Sequence, residues 1–224
     1  MDALHLDRSQ LYRYQEMDRS KYNLVIGGML VYGFFVDALI CYFFGDILNY
    51  VLDSGPVMIG FFVTNIVCVI LSVVLSSSPN AVVNFIGYNL MVLPIGLMLG
   101  MVVSAVSYKL VLGALLGTGV FAVLMIAASF IKPEFFLSLW PTLGIALGIT
   151  VAVELVLFLL GFGPEFTDYI LIAIFSLYLG FDWQRANRVT PSIRNAILSA
   201  TQIYLDIVNI FIRLLRILAR SRKN

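Results

Sequence analysis

The feature that most constrains how this chain folds is a set of seven apolar runs, at residues 22–44, 57–75, 82–107, 110–131, 136–160, 166–183 and 195–219. A hydrocarbon core about 30 Å thick is crossed by about 20 apolar residues in a helix. Each run is of that order, and together they occupy most of the 224 residues. The breaks between them carry turn chemistry: NYVLDSGP, SSSPN, KPEF with Lys132 and Pro133, and GFGPEF with Glu165. Only Tyr108 and Lys109 separate the third and fourth runs, which predicts a tight antiparallel hairpin there. The alternation over about ten residues that marks a barrel strand is absent. The pattern predicts an all-α polytopic membrane protein of seven helices. Its single membrane domain spans 22–219, between a polar N-terminal tail (1–21) and a basic C-terminal tail (220–224).

Composition agrees. The chain is 61% hydrophobic and 12% charged, with mean hydropathy +0.97, whereas soluble domains run at about 45–50% apolar and about 25% charged. A net charge of +1 says nothing about nucleic acid, and no basic run interleaved with aromatics suggests it, so no nucleic-acid partner is expected. Cys41 and Cys68 lie inside apolar runs, as small core residues do, so no disulfide framework is expected. His5 is the single histidine and lies in the tail, which excludes most zinc and haem sites; no cofactor is expected. The first 21 residues are polar and mixed in charge, unlike a cleavable signal peptide.

Arg8, Arg13, Arg19 and Lys21 precede the first run, while the next loop carries Asp46 and Asp53. The positive-inside bias puts the N-terminus in the cytoplasm. Arg185, Arg188 and Arg194 then fall on the same side, but a seventh full span would carry Arg220, Arg222 and Lys223 outside. Either the last segment spans and tolerates this, or it is re-entrant. Three pairs of glycines four residues apart, Gly96 with Gly100, Gly113 with Gly117 and Gly144 with Gly148, suit close helix packing. Lys109 and Lys132 stand at helix ends, where their amines reach headgroups.

The last run is where chemistry concentrates. Ser199, Gln202, Asp206, Asn209, Arg213, Arg216 and Arg220 follow in steps of three and four, a single face of a helix. An Asp or Arg at mid-depth in lipid costs at least about 2.5–3.5 kcal/mol, so this face must meet other helices or a water-filled cavity. Asp206 is then either a structural acceptor, paired with Arg213 two turns on, or part of an ion or proton path. Its candidate partner is Asp182, near the end of the sixth run. The two are level on an antiparallel hairpin if its turn centres near Arg194, and over two turns apart if a helix begins at Pro191 under a Thr190 cap. If they meet, two carboxyls in a low-dielectric interior share a proton and act as a coupled pair. Protonated, the pair latches two helices; deprotonated, it repels itself or recruits a cation. Calcium prefers six to eight oxygens, so two carboxylates make only a weak site, which suits permeation. Asp37 on the first run and Glu154 on the fifth could line the same cavity, with Gln202 and Asn209, or be structural groups.

Residues 203–218, IYLDIVNIFIRLLRIL, resemble the last transmembrane segment of the Bax inhibitor-1 (transmembrane Bax inhibitor motif) family, whose pattern runs LYLD, a short apolar gap, N-L-F, then L-L-R. Asp206, Asn209, Phe211, Leu214, Leu215 and Arg216 fall on it. YLGFDWQR is similar to the family's Y-x-x-Y-D-T-Q segment and sets Asp182 and Gln184 on its Asp and Gln. These motifs cover the last forty-odd residues; elsewhere the layout alone agrees. The resemblance implies a seven-helix bundle with the last helix at its centre. It also implies a pH-sensitive calcium leak switched by the two aspartates. Family members can carry a second-helix arginine that latches the pair. Residues 57–75 hold no charged residue, so the closed-state latch either comes from Arg213 or Arg216 as counter-charge or is missing. The short ARSRKN tail and short chain point to a bacterial plasma membrane.

Two rival classes are open. Intramembrane aspartyl proteases are similar in placing Asp on adjacent helices, but their G-x-G-D motif fails here, since Leu179, Gly180 and Phe181 precede Asp182. The expectation is therefore no enzyme. A non-conducting membrane protein that regulates a protease or a cell-death partner would need Asp206 only as a structural group.

Overall fold

A computed structural model describes residues 17–51, 55–76, 78, 80–163 and 165–221, the side chains of 46–51 and 62 excepted. His5, Arg8, Arg13, Asp53, Arg222 and Lys223, and the side chain of Asp46, lie outside that description. The described residues form helices and no strand: α1 (Arg19–Val51), α2 (Gly55–Ser76), α3 (Ala81–Ser104), α4 (Tyr108–Ile131), α5 (Pro133–Ser138), α6 (Trp140–Leu159), α7 (Glu165–Arg188) and α8 (Ile193–Ser221). Among them α1, α2, α3, α4, α6 and α7 are long and apolar enough to cross a membrane. The last helix has the length, 29 residues or about 44 Å at 1.5 Å per residue, but its charged stripe sets it apart from those six. It runs without a break, so no re-entrant turn interrupts it.

Local chemistry sets the ends. Asn80 caps α3, its Oδ1 accepting from the Val82 N–H at 2.8 Å. At the end of α6, Gly161 takes φ +81°, with Gly161 N–H bonded to Phe158 O and Phe162 N–H to Leu157 O. That is a Schellman close, which a side chain at the left-handed position would strain. Ser192 opens α8, its hydroxyl accepting from Asn195 N–H at 3.2 Å.

Several boundaries differ from the apolar pattern: α1 runs on to Val51, into the stretch read as a break, α7 runs on to Arg188, and two interior breaks move. The α3–α4 break falls at residues 105–107, and Tyr108 and Lys109 are the first residues of α4. Ser107, in extended backbone, stands at the N-cap position of that helix without a side-chain cap bond. The fifth run divides at Leu139 into α5 and α6, because Pro141 stands in the first turn of α6 and has no N–H to continue the preceding turn.

Two of the three glycine pairs lie at helix contacts; the third does not, since a Cβ on Gly148 would meet nothing within 4 Å and one on Gly144 only the Tyr178 hydroxyl at 3.9 Å. Gly96 lies against Asp37 and Ile40 of α1, and Gly45 of α1 against the Gly100 carbonyl. Gly113 and Gly117 receive Leu218 and Leu214 of α8. The main core gathers α1, α3 and α8 around Tyr22, Tyr88, Met91, Ile203, Tyr204 and Leu215. A smaller one joins α6 and α7 through Leu143, Leu171, Ile174 and Phe181. The last helix packs on α1, α2, α3, α4 and α7, and from Asn195 to Arg220 none of its residues is exposed. Every other long helix presents exposed apolar side chains, the surface that lipid solvates.

Candidate functional site

The hairpin of α7 and α8 carries both ionic regions of the bundle, and its turn fixes their register. Residues 189–192 are non-helical, and Asn195 Nδ2 donates to Thr190 O across the turn at 2.8 Å. The N-terminal end of α1 clamps the same turn. Met17 N–H bonds Pro191 O at 2.9 Å, and the Arg19 guanidinium donates to Ala186 O (3.3 Å) and Val189 O (3.2 Å) at the end of α7. Arg194 is the pivot: Asp182 and Asp206 stand twelve residues either side of it, and Asp168 and Arg220 stand twenty-six either side.

Asp182 and Asp206 accordingly come together, their carboxyls within hydrogen-bonding reach of each other. They are 7% and 4% exposed. Asp206 Oδ2 finds no donor among the described residues. Ionised carboxylates only accept, so two of them face one another stably when one carries a proton between them. Arg185, three residues beyond Asp182 on α7, supplies a cationic field at Asp182. Tyr178, one turn before Asp182, feels both carboxyls. Gln184, buried, donates to Ser129 Oγ of α4 at 3.0 Å and pins the helix that carries Asp182. Gly180, also on that helix, is filled over by the Phe136 ring of α5, which leaves no room for a Cβ.

The second region lies at the other end of the hairpin. Arg213 donates to Glu154 at 2.6 Å and to Asp168 at 3.1 Å; Arg216 lies 3.3 Å from Asp168, and Arg220 donates to Asp168 at 2.5 Å. Thr167 Oγ1 adds a bond to Glu154 at 3.0 Å. Asp168 is wholly buried and Arg213 is 13% exposed. Three guanidiniums thus meet two carboxylates.

This redistributes the residues expected on one cavity. Arg213 and Arg216 are not the counter-charges of Asp206: both reach away from it, to acids on α6 and α7. Glu154 belongs with them, not with the aspartate pair. Arg220, expected in the basic tail, is inside α8 and ion-paired. Asp37 lies elsewhere again, accepting from the Tyr204 hydroxyl at 2.8 Å. Asn209 turns back on its own helix, Nδ2 to Leu205 O at 2.8 Å, and Gln202 is half-buried. Ser199 meets the Tyr22 hydroxyl at 3.0 Å. Sequence reasoning missed Asp168 and Arg185. The register about Arg194 that pairs Asp182 with Asp206 also sets Asp168 opposite Arg220, so that signal was present.

For a metal, the pair offers two carboxylates. Among the described residues no group of three or more His, Cys, Asp or Glu side chains gathers, which is far short of a closed calcium cage.

Compared with known proteins, the chain matches one family model, described as Inhibitor of apoptosis-promoting Bax1, over residues 15–223. No curated protein and no solved structure matches it. The family match covers nearly the whole chain, and the chain belongs to that family, Bax inhibitor-1.

Proposed function

We propose that this member of the Bax inhibitor-1 family is a seven-helix membrane protein conducting a pH-gated cation leak, with calcium as the transported ion and Asp182 and Asp206 as the sensor. The observation that carries the reading is the pair itself: two buried acids in mutual contact across a helix hairpin, with Asp206 Oδ2 lacking a donor. With a proton between them the pair is a neutral latch between α7 and α8. When that proton leaves, like charges repel across the interface, or a cation takes its place. A site of two carboxylates binds divalent ions weakly, which lets an ion leave as well as enter.

The last helix serves as the seventh span and the centre of the bundle. Its length, its five helical neighbours and its lack of exposed residues over 195–220 support this. Arg213, Arg216 and Arg220 are carried by the span because Asp168 and Glu154 pair with them, which lessens the charge that a full span with a cytoplasmic N-terminus places outside. No catalytic step is assigned to the pair.

A second reading rests on the family description, which names inhibition of an apoptosis-promoting protein. In it the chain is a non-conducting regulator of a cell-death partner, and the aspartates only hold the hairpin. Calcium entry into dye-loaded proteoliposomes, across a pH series from mildly acidic to mildly alkaline, separates the two. The leak predicts a flux whose pH dependence is flattened by Asp206→Asn. Folded protein that gives no flux above protein-free liposomes at any pH leaves the regulator.

A further inference from the structure

A proton shared by Asp182 and Asp206 has two possible homes, and the surroundings of the two acids are not alike. Asp206 Oδ2 is buried without a donor among the described residues, whereas neither oxygen of Asp182 is left so. An ionised Asp206 would hold a bare charged oxygen in the interior. A protonated Asp206 places its proton in the contact with Asp182 and leaves a neutral carbonyl oxygen without a donor, which costs less.

The charges on the surrounding helices point the same way. Arg213, Arg216 and Arg220 are taken up by Glu154 and Asp168, and Arg188 by Glu134. Arg19 is spent on the carbonyls that end α7, and Asp37 of α1 accepts from Tyr204. Helices α2 and α3 carry no charged side chain. Lys109 stands at the far end of α4 from Ser129, and Lys21 and Lys132 are exposed. On α7, Tyr178 brings a neutral phenol to the pair.

Arg185 differs from these cations. Among the described residues it has no carboxylate within ion-pairing distance. It follows Asp182 by three residues on α7, the spacing at which helix side chains are neighbours, about 5–6 Å between Cβ atoms. Its guanidinium stands 6.0 Å from the centroid of the Trp140 ring of α6, within cation–π range. That ring stacks at 5.6 Å on Phe181, the residue before Asp182. The two aromatic rings thus hold a half-buried, uncommitted cation on the Asp182 side of the pair. Given the reading of the pair as the sensor, we propose that Arg185 is its positioning residue, keeping Asp182 as the ionised member and leaving the shared proton on Asp206. The sensor is then asymmetric: Asp206 gains and loses the proton, and Asp182 is the standing acceptor.

The test is an infrared titration of the carboxylic-acid carbonyl band, with the full-length protein in liposomes. Wild type is compared with Asp182→Asn, Asp206→Asn and Asp206→Asn/Arg185→Gln. The band should persist in Asp182→Asn, where Asp206 keeps its proton, and be missing from Asp206→Asn, whose remaining acid stands beside Arg185. Adding Arg185→Gln to Asp206→Asn should bring a band back, because Asp182 without its cation stays protonated to a pH higher by about one unit. Arg185→Lys in the same background keeps the charge and should leave the band missing. A merely structural role for Arg185 would not move the protonation of Asp182. The contrast between the two single Asn variants decides where the proton sits even if the double variant does not fold. An Asp206→Asn spectrum unchanged by Arg185→Gln would overturn the role of Arg185 and leave the sensor standing. A band that survives in Asp206→Asn and vanishes in Asp182→Asn would reverse the assignment and overturn the proposal. A wild-type band indifferent to both aspartate substitutions would overturn the sensor reading itself, and the role of Arg185 with it.

Discussion

At one depth of the α7–α8 hairpin two buried acids face each other; two to four turns along α8, two acids face three arginines. Both regions draw on α7 and α8, the second adding Glu154 of α6; the aspartate pair is buried, whereas Arg216 and Arg220 remain about one-third exposed. They differ in charge matching. Around Asp168 each carboxylate has guanidinium donors, so ionisation is self-consistent and the region is a fastener. Around Asp206 the neighbour is another acid, so the state of the pair depends on protons or cations supplied from outside. A polar stripe in a membrane helix therefore carries two roles, and the partner on the facing helix decides which.

The largest effect should come from spoiling the matched region. Asp168→Ala leaves three arginines with Glu154 alone. Breaking a buried ion pair by removing one partner typically costs about 3–5 kcal/mol. Unfolding midpoints of the purified protein in lipid should fall accordingly, and a variant as stable as wild type would dissolve the distinction drawn above.

A smaller change in stability, with a larger change in response, is expected in the unmatched region. Asp206→Asn keeps the shape and supplies an amide donor to Asp182, so stability should stay within about 1 kcal/mol of wild type. The sign of the pH effect follows from the pair. As pH rises, the wild type loses the shared proton and gains like-charge repulsion, so α7 and α8 should loosen. The variant has one carboxyl left and should not show this. Spin labels placed either side of the pair report the separation, and identical pH profiles for both proteins would remove the sensor role.

The smallest effect belongs to the ion pair at the surface. Glu134 pairs with Arg188 where the two side chains are 80% and 50% exposed. Exposed pairs contribute about 0–1 kcal/mol and are screened by salt. Glu134→Gln should shift the midpoint of unfolding by little, and by less at high ionic strength; a loss comparable to that of Asp168→Ala would make burial a poor guide to these contacts.

The helical membrane class was legible because about 20 apolar residues between turn residues admits few other solutions, while boundaries moved where Ser107 and Pro141 stand and where α1 and α7 run on past their apolar runs to Val51 and Arg188. The meeting of Asp182 and Asp206 was legible as one of two registers. Capping by Ser192 selects a helix start at Ile193, and with it the level pairing. What the stripe on α8 could not reveal is which neighbour each residue meets. Arg213 was legible as a charge needing an acid, and Asp206 was the acid on its own helix. Its actual partners, Glu154 and Asp168, lie on α6 and α7, brought there by packing that periodicity does not encode. Asp37 was legible as an intramembrane acid, but its partner, Tyr204, depends on how α1 and α8 pack.

The most direct test of the account is an infrared titration of the protein in liposomes, following the carboxylic-acid carbonyl stretch as pH is raised. The account predicts a protonated-carboxyl band that disappears with increasing pH in the wild type and is missing from Asp206→Asn. A spectrum in which that variant and the wild type have the same carboxylic-acid band at every pH would mean the pair holds no titratable proton, and would contradict it.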